Sequence, residues 1–175
     1  LHPLLKPARF FPDEKMVAET LAPVNLEYQK TLVKDNVVVI IVESLASEFW
    51  GKVNKVESYT PFLDKLADKG LYFTNNFANG RRSIEALPAI LFGVPSFMQT
   101  PIFRSNYQNN RWHGIGKALS KNGYHTSFFH AAPEGTMYFD AISRIGGLTD
   151  YYPYERFPRP TGKEYDGHWG LFDEA

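Results

Sequence analysis

The chain has 175 residues, about one domain, with 19 Lys+Arg against 19 Asp+Glu and a formal net charge of +0. That balance argues against a nucleic-acid partner, which needs clustered excess basic residues to displace counterions. The 43% hydrophobic and 22% charged content is that of a folded globular chain, and no apolar run approaches the ~18 to 20 residues of a membrane span. With no Cys, disulfides, thiolate metal sites and cysteine nucleophiles are all excluded. The opening LHPLLKPARFFPDEK lacks the basic, apolar and small-residue order of a signal peptide, and Leu1 in place of Met predicts a piece of a longer protein.

Residues 1–35 carry four prolines without a sustained period and read as a lead-in linker, with a short helix around Glu14 to Leu21. From 36 to 175 the pattern changes. Val37-Val38-Val39-Ile40-Ile41-Val42 is six consecutive β-branched residues with no polar face, which predicts a parallel strand covered on both sides and stopping at Glu43-Ser44. Thr60 to Gly70 predicts a helix, with Thr60 as cap, Pro61 at the first helical position and Gly70 at the exit. Leu71 to Phe77 predicts a strand, and Ser83 to Leu91 a helix that Pro88 kinks or holds near its first turn. Arg111 to Lys121 predicts a third helix, Tyr124 to Phe129 a further buried strand, and Tyr138 to Ile145 a short helix before an aromatic, proline-rich tail. The alternation predicts an α/β fold, a mainly parallel sheet with helices on both faces. Phe62, Phe73, Phe77, Phe128 and Phe129 fall on predicted core faces, so most of the 15% aromatic content is assigned to the core.

In open α/β sheets ligands bind beyond the carboxyl ends of the strands. That rule singles out Glu43, the Asn79 to Ser83 turn and His130. A carboxylate directly after buried aliphatics needs a metal ion or a cationic side chain, or else it emerges into solvent. Ser83 either caps its helix or sits in an anion site built by helix N–H groups and supported by Arg81 and Arg82; there a hydroxyl becomes a nucleophile if a metal lowers its pKa. His130 is either a substrate ligand or a histidine satisfying backbone groups at a strand end. Gly-rich phosphate loops and Gly-x-Ser-x-Gly are absent.

Three stretches together carry a more specific signal: Asn36-Val37-Val38-Val39-Ile40-Ile41-Val42-Glu43-Ser44, Thr60-Pro61-Phe62-Leu63-Asp64-Lys65-Leu66-Ala67, and Phe73 through Asn79-Gly80-Arg81-Arg82-Ser83 to Ile90. With Ser127-Phe128-Phe129-His130 and Asp166 to Glu174, they resemble the front portion of the catalytic domain of lipoteichoic-acid synthase-like phosphoglycerol transferases. That group belongs to the sulfatase branch of the alkaline phosphatase superfamily. The resemblance implies an enzyme with one divalent cation, Mn2+ or Mg2+, held by Glu43 and by Ser83 as nucleophile. It also implies substrate contacts from His130 and Arg82. The remaining metal ligands are expected beyond Ala175, so the chain alone is expected to bind metal weakly and to be inactive by itself.

The implied reaction moves a phosphoglycerol- or phosphoethanolamine-type group from an anionic phospholipid or glycolipid through a phospho-serine. The expected place is the extracytoplasmic face of the bacterial cell membrane, with membrane segments outside this chain. The alternatives are a sulfatase or phosphodiesterase-type hydrolase and a non-catalytic glycan-binding piece. Ser83 stands where the teichoic-acid enzymes usually have Thr, which keeps the chemistry. The Cys/Ser-x-Pro-x-Arg pattern of formylglycine sulfatases is missing from Ser83-Ile84-Glu85-Ala86-Leu87. The Trp and Arg that follow the family histidine are not recognisable in Met137-Tyr138-Phe139-Asp140, so the head-group pocket is expected to differ. Exposed apolar surface on a truncated sheet also predicts self-association.

Overall fold

The computed structural model describes Asp13, Lys15, Met16, Glu19, residues 33–158 and residues 163–172. Within the helix expected at Glu14 to Leu21, Lys15, Met16 and Glu19 are helical and the rest lies outside the described residues. The chain divides into two compact units, Leu1–Ile41 and Val42–Ala175.

The second unit is built on helices α1 (Gly51–Asn54), α2 (Pro61–Ala67), α3 (Ser83–Phe92), α4 (Ile115–Lys121) and α5 (Phe139–Gly146), and strands β1 (Ser127–Phe129) and β2 (Asp150–Tyr152). The two strands pair in parallel, with Ser127 opposite Asp150, Phe128 opposite Tyr151 and Phe129 opposite Tyr152. Parallel neighbours need a crossover, and α5 supplies it, making β1-α5-β2 the βαβ unit that the alternating pattern predicts.

The core forms where this unit meets α3. Leu87, Phe103, Phe139 and Ile142 are buried together, with Phe92, Trp112, Phe128 and Tyr151 packed around them. Ile142 is fully enclosed, and burying a side chain of that size contributes roughly 1.5–3 kcal/mol. Inside α3, Pro88 is also buried, and the helix continues past it to Phe92, where Gly93 adopts a left-handed conformation and ends it.

Three expectations need correction. Val37 to Val42 is not a buried strand: it pairs with no other described segment, and its side chains are between 50 and 81% exposed. Leu71 to Phe77 is likewise irregular and exposed. The physical reason is common to both, because an apolar β-branched or aromatic run states a preference for pairing but does not supply the partner, and the described strands pair only with each other. Phe62, Phe73 and Phe77 consequently lie outside the core, as does Phe129, whereas Phe128 packs against it. Finally, the helix expected from Arg111 begins at Ile115, because Gly114 takes an extended conformation as its N-cap while Trp112 packs on Phe92 and Phe103.

Candidate active site

The turn Asn79-Gly80-Arg81-Arg82 delivers Ser83 as the first residue of α3, with Arg82 as the extended N-cap. No cap side chain bonds this helix end. Instead Glu85, in the first turn, reaches back: its Oε2 accepts from the Arg81 backbone N–H at 3.0 Å, and its Oε1 accepts from the Arg82 guanidinium at Nε (3.0 Å) and at Nη2. The side-chain bond from Arg82, followed by the backbone bond from Arg81, holds the Glu85 carboxyl below its usual range, so it stays ionised and the cap persists. Gly80 makes the turn possible. A Cβ there would lie 2.7 Å from Glu85 Cβ, 2.9 Å from Glu85 C and 3.0 Å from Ala86 N.

Ser83 does not cap the helix with its own side chain. Its Oγ donates to Glu43 Oε2 at 2.6 Å, joining positions 40 residues apart. The other carboxylate oxygen, Oε1, accepts from Ser44 Oγ at 3.2 Å. Ser44 holds a left-handed backbone (φ 55°), an energetically disfavoured conformation for a non-glycine residue of the kind that concentrates at functional sites. Glu43 is therefore paired with two hydroxyls rather than with a basic side chain. The helix dipole favours negative charge at its N-terminus and so favours an oxyanion on Ser83.

Of the four residues the sequence singled out, the structure brings Glu43 and Ser83 together. Arg82, expected to contact substrate, spends its guanidinium on Glu85 and on the Gln99 carbonyl at 3.4 Å. His130 follows β1, anchored through its backbone N–H to the Tyr152 carbonyl at 3.0 Å. Its ring meets the edge of Phe139 at 4.6 Å, and Nδ1 is buried without a hydrogen-bond partner. Burial pushes the His130 pKa down from 6.5, so the ring is neutral near pH 7. No hydrogen bond joins His130 to the Ser83–Glu43 pair among the described residues.

Glu85 is the functional support that sequence reasoning missed; the signal was its i,i+3 spacing from Arg82 at a helix start. Asp166 is another. Its Oδ1 accepts from the backbone N–H groups of His168 (2.7 Å), Trp169 (2.7 Å) and Gly170 (3.0 Å), and these bonds hold its pKa low. Residues 137 and 138 belong to the same list: Met137 and Tyr138 are both left-handed, at the entry to α5, and the Arg104 guanidinium lies 5.5 Å from the Tyr138 ring centre.

The donor chemistry of the Ser83–Glu43 pair fits a hard divalent cation, since a carboxylate and a hydroxyl oxygen are the ligands that Mg2+ and Mn2+ prefer. Among the described residues there is no group of three or more His, Cys, Asp or Glu side chains that could hold a metal ion.

The α/β framework with its parallel βαβ unit matches an alkaline-phosphatase/sulfatase-like fold. The sequence model of the sulfatase family matches residues 35–169, a stretch that includes Glu43, Ser83 and His130, and the chain belongs to the sulfatase family. A protein of the alkaline phosphatase superfamily from Vibrio parahaemolyticus is similar in structure, with a TM-score of 0.66 and 25% identity over 75% of this chain and 31% of that one. The lipoteichoic acid synthase LtaP from Listeria monocytogenes is similar in fold, with a TM-score of 0.53 and 21% identity over 59% of this chain and 26% of that one. The chain thus spans less than a third of the length of either structure.

Proposed function

We propose that this chain carries the nucleophile of a metal-dependent transferase that moves a phosphoglycerol- or phosphoethanolamine-type group through a phospho-serine at Ser83. The observation that carries the reading is the 2.6 Å hydrogen bond from Ser83 Oγ to Glu43 Oε2. A serine hydroxyl is a weak nucleophile until a base or a metal activates it, and here a carboxylate already accepts its hydrogen bond. As the Ser83 Oγ–P bond forms, Glu43 takes the proton and the P–O bond to the lipid alcohol breaks; the same proton balances the released alcohol. An acceptor hydroxyl then attacks phosphorus, its proton returning to Ser83 Oγ as that bond breaks.

Glu43 and Ser83 would hold the divalent cation, Mn2+ or Mg2+, which when bound stabilises the serine oxyanion and the charge on phosphorus. His130, neutral and with Nδ1 unpartnered, is suited to a substrate hydrogen bond. The Arg82 guanidinium, committed to Glu85, acts by fixing the helix start on which Ser83 rides. This reading places the chain at the extracytoplasmic face of the bacterial cell membrane, working on an anionic phospholipid or glycolipid. Among the described residues no helix is long and apolar enough to cross a membrane.

The test is peptide mass spectrometry of the full-length protein, of which this chain is a part, after incubation with Mn2+ and phosphatidylglycerol. The wild type should carry a glycerophosphoryl group on Ser83, Ser83→Ala should carry none, and Glu43→Gln should label about 100-fold more slowly or worse. An unmodified Ser83 in the wild type, or unchanged turnover in Ser83→Ala, would overturn the reading. Labelling followed by release of free glycerol phosphate alone would replace transfer with hydrolysis.

A further inference from the structure

Charge is unevenly placed along this chain. Asp and Glu make up 19 of its 175 residues, yet none occurs between Glu85 and Glu134, a stretch that carries Arg104, Arg111, Lys117 and Lys121. Among the described residues no ion pair joins any of these four cations to a carboxylate.

The fold gathers part of this basic stretch around one groove. The end of α3 and α4 border a cavity of about 570 Å3, lined by Ile90 and Leu91 on one side and by His113, Ile115, Lys117 and Lys121 on the other. No carboxylate lines it. Lys117 Nζ donates to the Trp112 carbonyl at 2.9 Å, which anchors the ammonium and leaves its other N–H donors for a second acceptor. Ile90 and Ile115, in the same lining, are 44 and 45% exposed. Half-exposed isoleucines are ordinary in this chain, but isoleucines set among cations with no acid beside them have a defined complement, an anionic surface with an apolar interior. A soluble polyanion meets the lysines and leaves the isoleucines in water, whereas an anionic bilayer meets both.

We propose that this groove is a docking face for an anionic lipid bilayer, with Lys117 and Lys121 on the lipid phosphates and Ile90 and Ile115 at the boundary with the acyl chains. The choice of a bilayer rests on the lipid substrate proposed above; the charge pattern stands without it. Ser83 begins the helix whose other end borders the groove, and the 10 residues of α3 set the two about 15 Å apart, so docking and the reaction occupy separate places.

The test places the full-length protein in nanodiscs that contain a photoreactive phospholipid tagged at its headgroup, and maps cross-linked peptides by mass spectrometry. Peptides spanning residues 90–93 and 113–121 should cross-link about fivefold more, or better, in phosphatidylglycerol discs than in phosphatidylcholine discs, since each lysine near an anionic surface contributes about that factor. Lys121→Gln should lower the yield, and Lys117→Gln combined with Lys121→Gln should bring it to the phosphatidylcholine level, as should about 1 M NaCl. Lys65→Gln, on α2 and outside the groove, should change nothing. Ile115→Ser should also lower the yield, with an unchanged melting temperature checking the fold of each variant. Equal yields in the two kinds of disc, or an unchanged yield in both lysine variants, would overturn the docking face. A yield that depends on the lysines but not on Ile115 would overturn the bilayer assignment in favour of a polyanion. Ser83→Ala should cross-link like the wild type, and the double lysine variant should still label Ser83 from lipid presented in detergent, so failure of the docking face and failure of the transferase reading give different results.

Discussion

Replacing Gly80 by Ala tests whether the turn before α3 sets the geometry of the Ser83–Glu43 pair. The new methyl group would sit 2.7, 2.9 and 3.0 Å from Glu85 Cβ, Glu85 C and Ala86 N, where ordinary contact begins at 3.4 Å. Two of these three atoms are backbone, so no rotamer change relieves the clash; the turn and the first turn of the helix must separate by roughly 0.5–1 Å. Overpacking of this kind costs about 1–3 kcal/mol. For a chain of this size that lowers the melting temperature by about 2–12 °C, at 2–4 °C per kcal/mol. The same displacement lengthens the 2.6 Å bond from Ser83 to Glu43, and misplacement by about 1 Å can cost 100-fold in rate.

The assay pairs thermal unfolding with the rate of Ser83 labelling, and Gly93→Ala serves as the control. Gly93 ends the same helix at φ 67° with nothing within 4 Å of an added methyl, so its substitution strains the backbone, at roughly 1 kcal/mol, without moving the other end. Gly80→Ala should therefore lose at least about tenfold in labelling, and Gly93→Ala should lose stability alone. A Gly80→Ala protein that melts within about a degree of the wild type and labels at the same rate would refute the close-packing argument.

Two pH effects follow from the shifted groups. For His130 the folded pKa lies below the unfolded value of 6.5, so below pH 6.5 the unfolded chain takes up a proton that the folded chain still refuses. Stability should fall as pH drops through that window and level off beneath the folded pKa; His130→Gln should flatten this part of the melting-temperature profile, and an unaltered slope would contradict it. For Asp166 the folded pKa lies below 3.8, so its contribution is present above that value and is lost as pH falls through the folded pKa. Asp166→Ala should remove hydrogen-exchange protection from the amides of His168, Trp169 and Gly170 near neutral pH, and the wild type should lose it only in acid.

The helices and the local chemistry were legible because their signals are local. Pro61 opens α2 for a conformational reason that acts within a single turn, whereas the exit expected at Gly70 falls at Ala67, with Asp68 as the C-cap. β2 escaped notice because Asp150-Tyr151-Tyr152 is short and lies in a tail that reads as irregular; its strand character comes from pairing with β1. Val37 to Val42 shows the converse, a strong β signal with no described partner.

The site divides along the same line. That Glu43 and Ser83 are candidates follows from their positions after a strand-like run and at a helix start, yet nothing in a spacing of 40 residues predicts that the two side chains meet. The pairing of Arg82 was hidden for a related reason, since the sequence shows a cation beside Ser83 but not the carboxylate that claims it. Glu85, three residues on from Arg82, holds the guanidinium and the Arg81 amide at once, at the helix start that Ser83 begins. The charge nearest Ser83 in sequence is therefore engaged by Glu85, and Glu43 is the carboxylate that accepts the Ser83 hydrogen bond.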